Sequence, residues 1–440
     1  MTSGVNGGSV WDILADENFA SLVRRDYRHY LSWDELTSSP LPQGMSAKET
    51  WDLLFALRRI SAVWFPLENP EGVRYGYFLA QDVVNHLRTI EQYCRSHSSL
   101  HQAIQEREGR RFLTRSRIQE AIAAIELDGV AIEHRDAGRL LHAGRTPRCA
   151  DEQLVLNSHE LLVELEGLAS GPFSPELFTH LYERLTAEVD TGQLVRGTVP
   201  HRFFPYPAVS ESIGGDPSES LQAICDYANG KTGDPEEPPV IAALAVGEAL
   251  AFWRPLPDFN NAIAWIAFRL YALKHDYPVL GYLPLLNAGL RWERGELPPG
   301  TVRFDFVEDH PFERFPKEAD WTPRILTNLE LAVAALQTLL GYVEVSDSRD
   351  SEIAAFDPSL NHRQLSVVAR ALRRADAEFR VSYHRVTHNV AYATARADLL
   401  DLVEKGYLVK ELRGQEFVFT PDPRLGHRME GVAADKVAHD

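Results

Sequence analysis

Over most of the chain, apolar residues recur three and four positions apart, the period of helices with one buried face. Ser46 and Glu49 form a capping-box pattern, which opens a helix with apolar positions Trp51, Leu54, Phe55, Leu57 and Ile60. Similar patterns predict helices over 80–96, 99–105 and 114–127, the last closed by Asp128-Gly129 as a C-cap. Further helices are expected over 151–166, 175–188 and 217–227. Residues 240–252 and 260–274 are apolar almost all round, so both are predicted as buried helices joined by a short polar loop. A long helix is expected over 323–342, with Thr322 as cap and Pro323 at the first position. Between 191 and 215, Gly192, Gly197, Pro200, Pro205, Pro207, Gly214 and Gly215 separate short apolar runs, the pattern of a hairpin-like flap. The polar stretch 346–352 reads as a linker. Three helical patterns follow (361–375, 382–389, 392–405), then a hairpin (406–410 and 416–419), the order of a winged helix-turn-helix.

The expected fold class is mainly α: a helical core with a small β-hairpin flap, plus a C-terminal winged helix-turn-helix. The expected partition is a poorly ordered start (1–28), an N-terminal helical extension (29–113), a core (114–345), a linker (346–358), a winged-helix module (359–424) and a tail (425–440).

Composition narrows the function classes. The chain has 440 residues, 44% of them hydrophobic, enough for two or three domains that each bury a core. No run of about 18 apolar residues stands out, so no membrane span or membrane partner is expected. Met1 to Val10 has neither a basic nor an apolar segment, unlike a secretory signal. Cys94, Cys149 and Cys225 are scattered and odd in number, which suits a reducing cytoplasm and excludes a disulfide framework. A net charge of -18 argues against a chain that coats nucleic acid with its whole surface. Between Ser359 and Arg424, eleven basic and eight acidic residues give a local +3. The helix from Tyr392 would present Thr394 and Arg396 to DNA base edges. It is otherwise Ala-rich, so contact with a protein partner or a second copy weighs ahead of nucleic acid. His384 and His388 are expected at the surface or as caps.

Several ordered segments carry a family resemblance. They are Trp33…Leu41-Pro42-Gln43-Gly44…Trp51…Leu57-Arg58-Arg59; Gly144-Arg145-Thr146-Pro147-Arg148…Asp151-Glu152-Gln153…Asn157; Gly192…Arg196…Val199; Pro238-Pro239-Val240-Ile241-Ala242-Ala243; and Asp320-Trp321-Thr322. From about Trp33 to Pro421 the chain resembles the Fic (Fido) family, in its form with an N-terminal helical extension and a C-terminal winged helix. The resemblance implies transfer of a nucleotide phosphate moiety, usually AMP from ATP, onto a protein hydroxyl. The family motif reads H-P-F-x-D/E-G-N-G-R-x-x-R. Its His is the general base and its acid holds a divalent metal. Its Gly-Asn-Gly turn and the following helix start cradle phosphates, and its arginines clamp them. Arg196 and Val199 fall where the family has its target-docking flap.

The aligned residues here run from Arg254 to Trp265, and much of that chemistry is lost. Arg254 stands at the base position, and a guanidinium stays protonated. Phe259 and Asn261 replace the glycines; Ala262 and Trp265 replace the arginines. Pro255, Asp258 and Asn260 survive. Asp258 is the candidate metal ligand. Arg254, Asp258, Asn260, Asn261, Asp128 and Gly129 are candidate ligand contacts, with pairing of Arg254 to Asp258 or Asp128 as the plainer reading and Asn260 as a helix cap. Trp265 is expected to fill the volume a ligand would occupy. The family's inhibitory S/T-x-x-x-E-G becomes Ala124-Ile125-Glu126-Leu127-Asp128-Gly129, with the Glu shortened to Asp128. His310-Pro311-Phe312 repeats part of the motif without its acid spacing or glycines, and is set aside. No cofactor is assigned; the family implies ATP with Mg²⁺, against which the motif losses count. Three readings stay open: a degenerate Fic-fold scaffold for binding or regulation, a transferase of altered chemistry using Arg254 and Asp258, and a winged-helix regulator sensing a ligand in the Fic pocket.

Overall fold

The computed structural model describes residues 13–68, 74–105, 107–143, 145–197, 216–303, 320–357, 359–388, 390–413 and 416–425. The chain divides into two compact units. Met1–His101, Ser116–Leu141 and Thr146–Leu336 form the first; Gln102–Arg115, His142–Arg145 and Gln337–Asp440 form the second.

The first unit opens with α1 (Glu17–Arg28), α2 (Trp33–Thr37) and α3 (Ala47–Ser61), followed by strands β1 (Val63–Glu68) and β2 (Arg74–Tyr77). The start of the chain is thus helical from residue 17, where the sequence predicts poor order. Asp16 accepts from the amides of Asn18 and Phe19 as N-cap, and Phe19 and Leu22 are buried. What holds α1 lies far along the sequence: buried Asp26 accepts from Arg58 Nε (3.0 Å) and Nη2 (2.5 Å). The Arg58 guanidinium also lies 3.8 Å over the Tyr30 ring, a cation–π contact. The Ser46–Glu49 capping box is present at the start of α3.

The β1–β2 hairpin, in a region the sequence reads as helical, pairs Val63 with Tyr77 and Trp64 with Gly76. A Cβ on Gly76 would lie 2.8 Å from the Val63 carbonyl oxygen, so this pairing requires glycine there. Tyr75 stacks on Trp321 at 4.7 Å, and the Trp321 amide donates to the Gly76 carbonyl at 2.8 Å.

Helices follow in the order α4 (Gln81–Cys94), α5 (Ser99–Gln105), α6 (Arg107–Leu127), α7 (His134–Ala143), α8 (Ala150–Leu168), α9 (Pro175–Thr186) and α10 (Pro217–Ala228). Next come α11 (Pro239–Trp253), α12 (Asn260–Lys274), α13 (Pro278–Tyr282) and α14 (Leu285–Glu293). The pair α11–α12 is the centre of the core: nearly every residue of both is buried. Gly247 lets the two helices approach, since a Cβ there would sit 3.3 Å from the Ala264 carbonyl oxygen. Two charges in these apolar helices are matched inside the unit. Glu248 accepts from Arg324 Nε (2.8 Å) and Asn328 Nδ2 (3.0 Å). Arg269 donates to Glu120 and to the carbonyls of Gly281 and Leu283. Cys94 and Cys225 are buried and Cys149 is exposed.

Helix α15 (Thr322–Phe356) is continuous through 346–352, the stretch the sequence reads as a linker. That stretch holds no Gly or Pro, so nothing in it ends a helix. Thr322–Val343 is long and apolar enough, by length and composition alone, to cross a bilayer, where the sequence predicts no membrane span; 61% of its most apolar window is buried, as in a core helix.

In the second unit, α16 (His362–Arg373), β3 (Phe379–Arg380), α17 (Val381–His388), α18 (Tyr392–Glu404), β4 (Leu408–Arg413) and β5 (Glu416–Pro421) follow α15. The three helices and the hairpin lie where the sequence predicts them. Strand β3 adds to the expected hairpin: its two residues pair with β5 (Phe379 with Phe419, Arg380 with Val418), giving a sheet in the order β3-β5-β4. The core gathers Val367, Val368, Leu399, Leu402, Tyr407 and Phe419. His384, expected at the surface or as a cap, is instead buried and bonded to Asp398 at 3.1 Å. Asp398 also accepts from Arg363 Nε (2.5 Å) and Asn361 Nδ2 (2.9 Å), so one buried carboxylate ties three helices together. Burial opposes its charge, but the Arg363, Asn361 and His384 hydrogen bonds outweigh that and hold its pKa below the usual aspartate value.

Candidate functional site

The site is built where α6 ends, where the chain passes 194–197, and where α11 gives way to α12. Helix α6 ends in a Schellman motif: Val130 N–H bonds the Ile125 carbonyl and Gly129 N–H bonds the Glu126 carbonyl. Gly129 takes φ 75°, the left-handed conformation this ending needs. The sequence-predicted C-cap is therefore present, and Gly129 serves the turn. Residues 194–197 lie alongside: Ala131 N–H donates to the Val195 carbonyl (2.8 Å) and Gly197 N–H to the Gly129 carbonyl (2.8 Å).

The α11–α12 connection is bracketed by two non-glycine residues with positive φ. Arg254, the buried C-cap of α11, has φ 52°, and Phe259, at the N-cap of α12, has φ 55°. Such conformations cost about 1–3 kcal/mol each. Phe259 stands where the resemblance has a glycine, which would take this conformation without cost, and the structure shows how the cost is carried. The ring is fully buried, and burying a phenylalanine side chain contributes about 1.5–3 kcal/mol, enough to offset the strain. Within the loop, Asn260 Oδ1 accepts from the Leu256 amide and its Nδ2 donates to the Leu256 carbonyl, both at 2.9 Å. Asn260 is thus not the helix cap the sequence favours, since the N-cap is Phe259 and its side chain makes no capping bond; buried, Asn260 locks the loop instead.

The start of α12 bonds a carboxylate of this same chain. Asp128 Oδ1 accepts from the Asn261 amide (3.2 Å) and Oδ2 from the Ala262 amide (2.8 Å), while Asn261 Nδ2 donates to the Leu127 carbonyl (3.0 Å). Asp128 is fully buried. Burial pushes its pKa up to about 7 against the two amide hydrogen bonds; the Asp258 charge adds to the rise and the Arg254 charge opposes it.

Arg196 is the second clasp. Its Nη2 donates to Asp258 Oδ2 at 2.6 Å and its Nη1 to the Asp128 carbonyl at 3.1 Å, and its guanidinium lies 5.8 Å from the Phe259 ring centroid. Asp258 Oδ1 takes the Phe259 amide at 2.8 Å. The cation bonded to Asp258 is thus Arg196, where the sequence favours Arg254; Arg254 acts on Asp128 through its field. Nothing in the local sequence signals the Arg196 pairing, because the partners are 62 positions apart. Trp265 is buried, its ring 5.1 Å from Phe268 in a T-shaped contact, so it fills core volume.

Among the described residues, no group of three His, Cys, Asp or Glu side chains stands close enough to hold a metal. Val199 and the rest of the flap (198–215) lie outside the described residues, as does His310-Pro311-Phe312. In the second unit, Thr394 and Arg396 are exposed on the first turns of α18, with Ala395 and Asp398 buried between and below them.

No family model matches the chain, and no curated protein matches it. Solved structures are similar to it at low identity. A Fic family protein from Desulfovibrio desulfuricans G20 has 16% identity and a TM-score of 0.42, over 79% of this chain and 98% of that one. Fic-1 from C. elegans has 14% identity and a TM-score of 0.41, over 74% and 82%. A Fic domain containing signaling protein from Bacteroides thetaiotaomicron VPI-5482 has 12% identity and a TM-score of 0.36, over 60% and 96%.

Proposed function

We propose that this chain is a Fic-like protein whose transfer centre is filled by its own side chains, and that it works as a binding or regulatory scaffold rather than as an AMP transferase. The observation that carries the reading is a double self-occupation. In the resemblance, a metal cation sits on the motif acid and phosphate sits on the following helix start. Here the Arg196 guanidinium takes the cation's place on Asp258, and the Asp128 carboxylate takes the anion's place on the Asn261 and Ala262 amides. As arranged, these residues do not fit ATP with Mg²⁺. Arg254 adds a permanent cation where a proton must be accepted. A transferase of altered chemistry built on Arg254 and Asp258 would first have to displace Arg196. A cytoplasmic setting belongs to this reading, since three free thiols suit a reducing compartment.

The test is incubation with labelled ATP and Mg²⁺ or Mn²⁺, with and without cell lysate. No labelling above background is expected from the wild type. None is expected from Arg254→His either, because restoring the base leaves the cradle filled and the motif arginines missing. Strong labelling that Asp258→Ala abolishes would overturn the reading.

For the C-terminal module we favour protein contact, by a partner or a second copy, over DNA. Exposed apolar side chains support this: Tyr392 on α18, Val409 and Leu412 on β4, and Phe417 on β5. Gel shifts with genomic fragments should show at most weak binding that vanishes at physiological salt. Sequence-selective binding that survives that salt would favour the DNA-reading regulator.

A further inference from the structure

We propose that the outer edge of β4 is a self-docking site: a second copy of this chain lays its own β4 antiparallel to this one, about a two-fold axis at Leu412. The proposal rests on the reading that the C-terminal module contacts protein, and it names the partner and the register.

The backbone sets which residues can pair. In the sheet order β3-β5-β4, β4 has a neighbour on one side only. It pairs with β5 from Leu408 opposite Pro421 to Arg413 opposite Glu416. Just before it, the Asp422 amide donates to the Tyr407 carbonyl (3.1 Å). Hydrogen-bonded pairs alternate along an antiparallel ladder, so Val409, Glu411 and Arg413 turn their backbone groups toward β5. Pro421 has no N–H to give Leu408, which fits the same alternation. Leu408, Lys410 and Leu412 turn theirs to the open edge, where no described strand takes them.

The side chains choose the partner. Charges on an edge strand usually discourage pairing, but here they are self-complementary in one register. A two-fold axis normal to the sheet keeps every side chain on its own face, so odd-numbered residues meet odd and even meet even. With Leu412 on the axis, the two Leu412 backbones exchange both hydrogen bonds, and Glu411 stands opposite the partner's Arg413 twice over. These flanking pairs are of the non-hydrogen-bonded kind, in which side chains come closest. An axis at Glu411 would set glutamate against glutamate, and one at Lys410 lysine against lysine; like charges directly opposite are destabilising. Within one chain Arg413 bonds Glu411 (2.9 Å) and Glu378, so the charged face is already ordered. The same register covers apolar surface at this end of the hairpin: Leu412 is 65% exposed, and Phe417, its neighbour across β4–β5, 39%.

Sedimentation velocity of the full chain tests this. The contact is of the small, weak class, so the wild type should dimerise reversibly with a Kd on the order of 10–100 µM. Glu411→Arg alone, or Arg413→Glu alone, faces like charges at two symmetric places and should raise that Kd about tenfold or more. Glu411→Arg combined with Arg413→Glu restores opposite charges and should recover most of the dimer. Leu412→Asp should leave a monomer. All three positions are exposed, so every variant should keep the wild-type circular dichroism. A wild type that stays monomeric throughout, or a dimer indifferent to the charge exchange, would overturn the pairing and leave the protein-contact reading to other surfaces. Sequence-selective DNA binding that survives physiological salt would instead overturn that reading itself.

Discussion

Arg269→Ala should destabilise the first unit by about 3–5 kcal/mol, the usual result of removing one partner from a buried ion pair. The guanidinium is 3% exposed and serves three acceptors at once: Glu120 and the carbonyls of Gly281 and Leu283. Those carbonyls lie at the C-terminal end of α13, and Glu120 in turn accepts from the Asn287 amide (2.9 Å) at the start of α14. Truncation therefore leaves a buried carboxylate without its cation and two carbonyls without their donor. In a unit of this size the loss corresponds to a melting temperature lower by on the order of 10 °C. The double variant Glu120→Leu with Arg269→Met should recover only part of it, because the amides that Glu120 now serves would lose their acceptor. A urea titration showing less than about 1 kcal/mol lost in the single variant would mean that the pair is not what holds α13 in place.

Asp398→Ala should have a comparable effect confined to the second unit. The carboxylate joins Asn361 and Arg363 at the start of α16 and His384 of α17 to α18. Removing it strands a partly buried guanidinium and a buried imidazole, at a cost of about 3 kcal/mol. Asp398→Asn, which keeps an acceptor, should lose less. Because the Asp398 pKa is depressed in the fold, its contribution is present above the usual aspartate pKa and is lost as pH falls below it. Exchange over 361–425 should thus accelerate in the variant at neutral pH, and in the wild type only in acid. Uniform acceleration along the whole chain would argue instead that the unit does not open on its own.

Most helices were legible because their signals are local. The capping box at Ser46, the C-cap at Gly129 and the apolar stripes each lie within one or two turns of sequence. The β1–β2 hairpin was not, since its run of apolar and aromatic residues has no strict alternation and its partner Trp321 lies far away in sequence. The candidate site was half legible. Loss of the base at Arg254 and of the glycine at Phe259 can be read directly from residue type. The filling of the cradle cannot, because it depends on Asp128 and Arg196 being brought to a loop 62 or more positions away. A weaker hint did exist: Glu248 and Arg269 each sit inside an otherwise apolar helix, and a buried charge needs a partner. The sequence shows that such partners must exist without saying which residues they are.

The thiols turn this fold into its own reporter. Burial pushes Cys94 and Cys225 up to about 12, so neither offers an appreciable thiolate near neutrality. Cys149, beside the first turn of α8, is reachable, although partial desolvation and Asp151 raise its pKa as well. A slow maleimide should therefore attach one fluorophore per native chain, and the arrival of a second would time the loosening of α4 or α10 without any engineered residue.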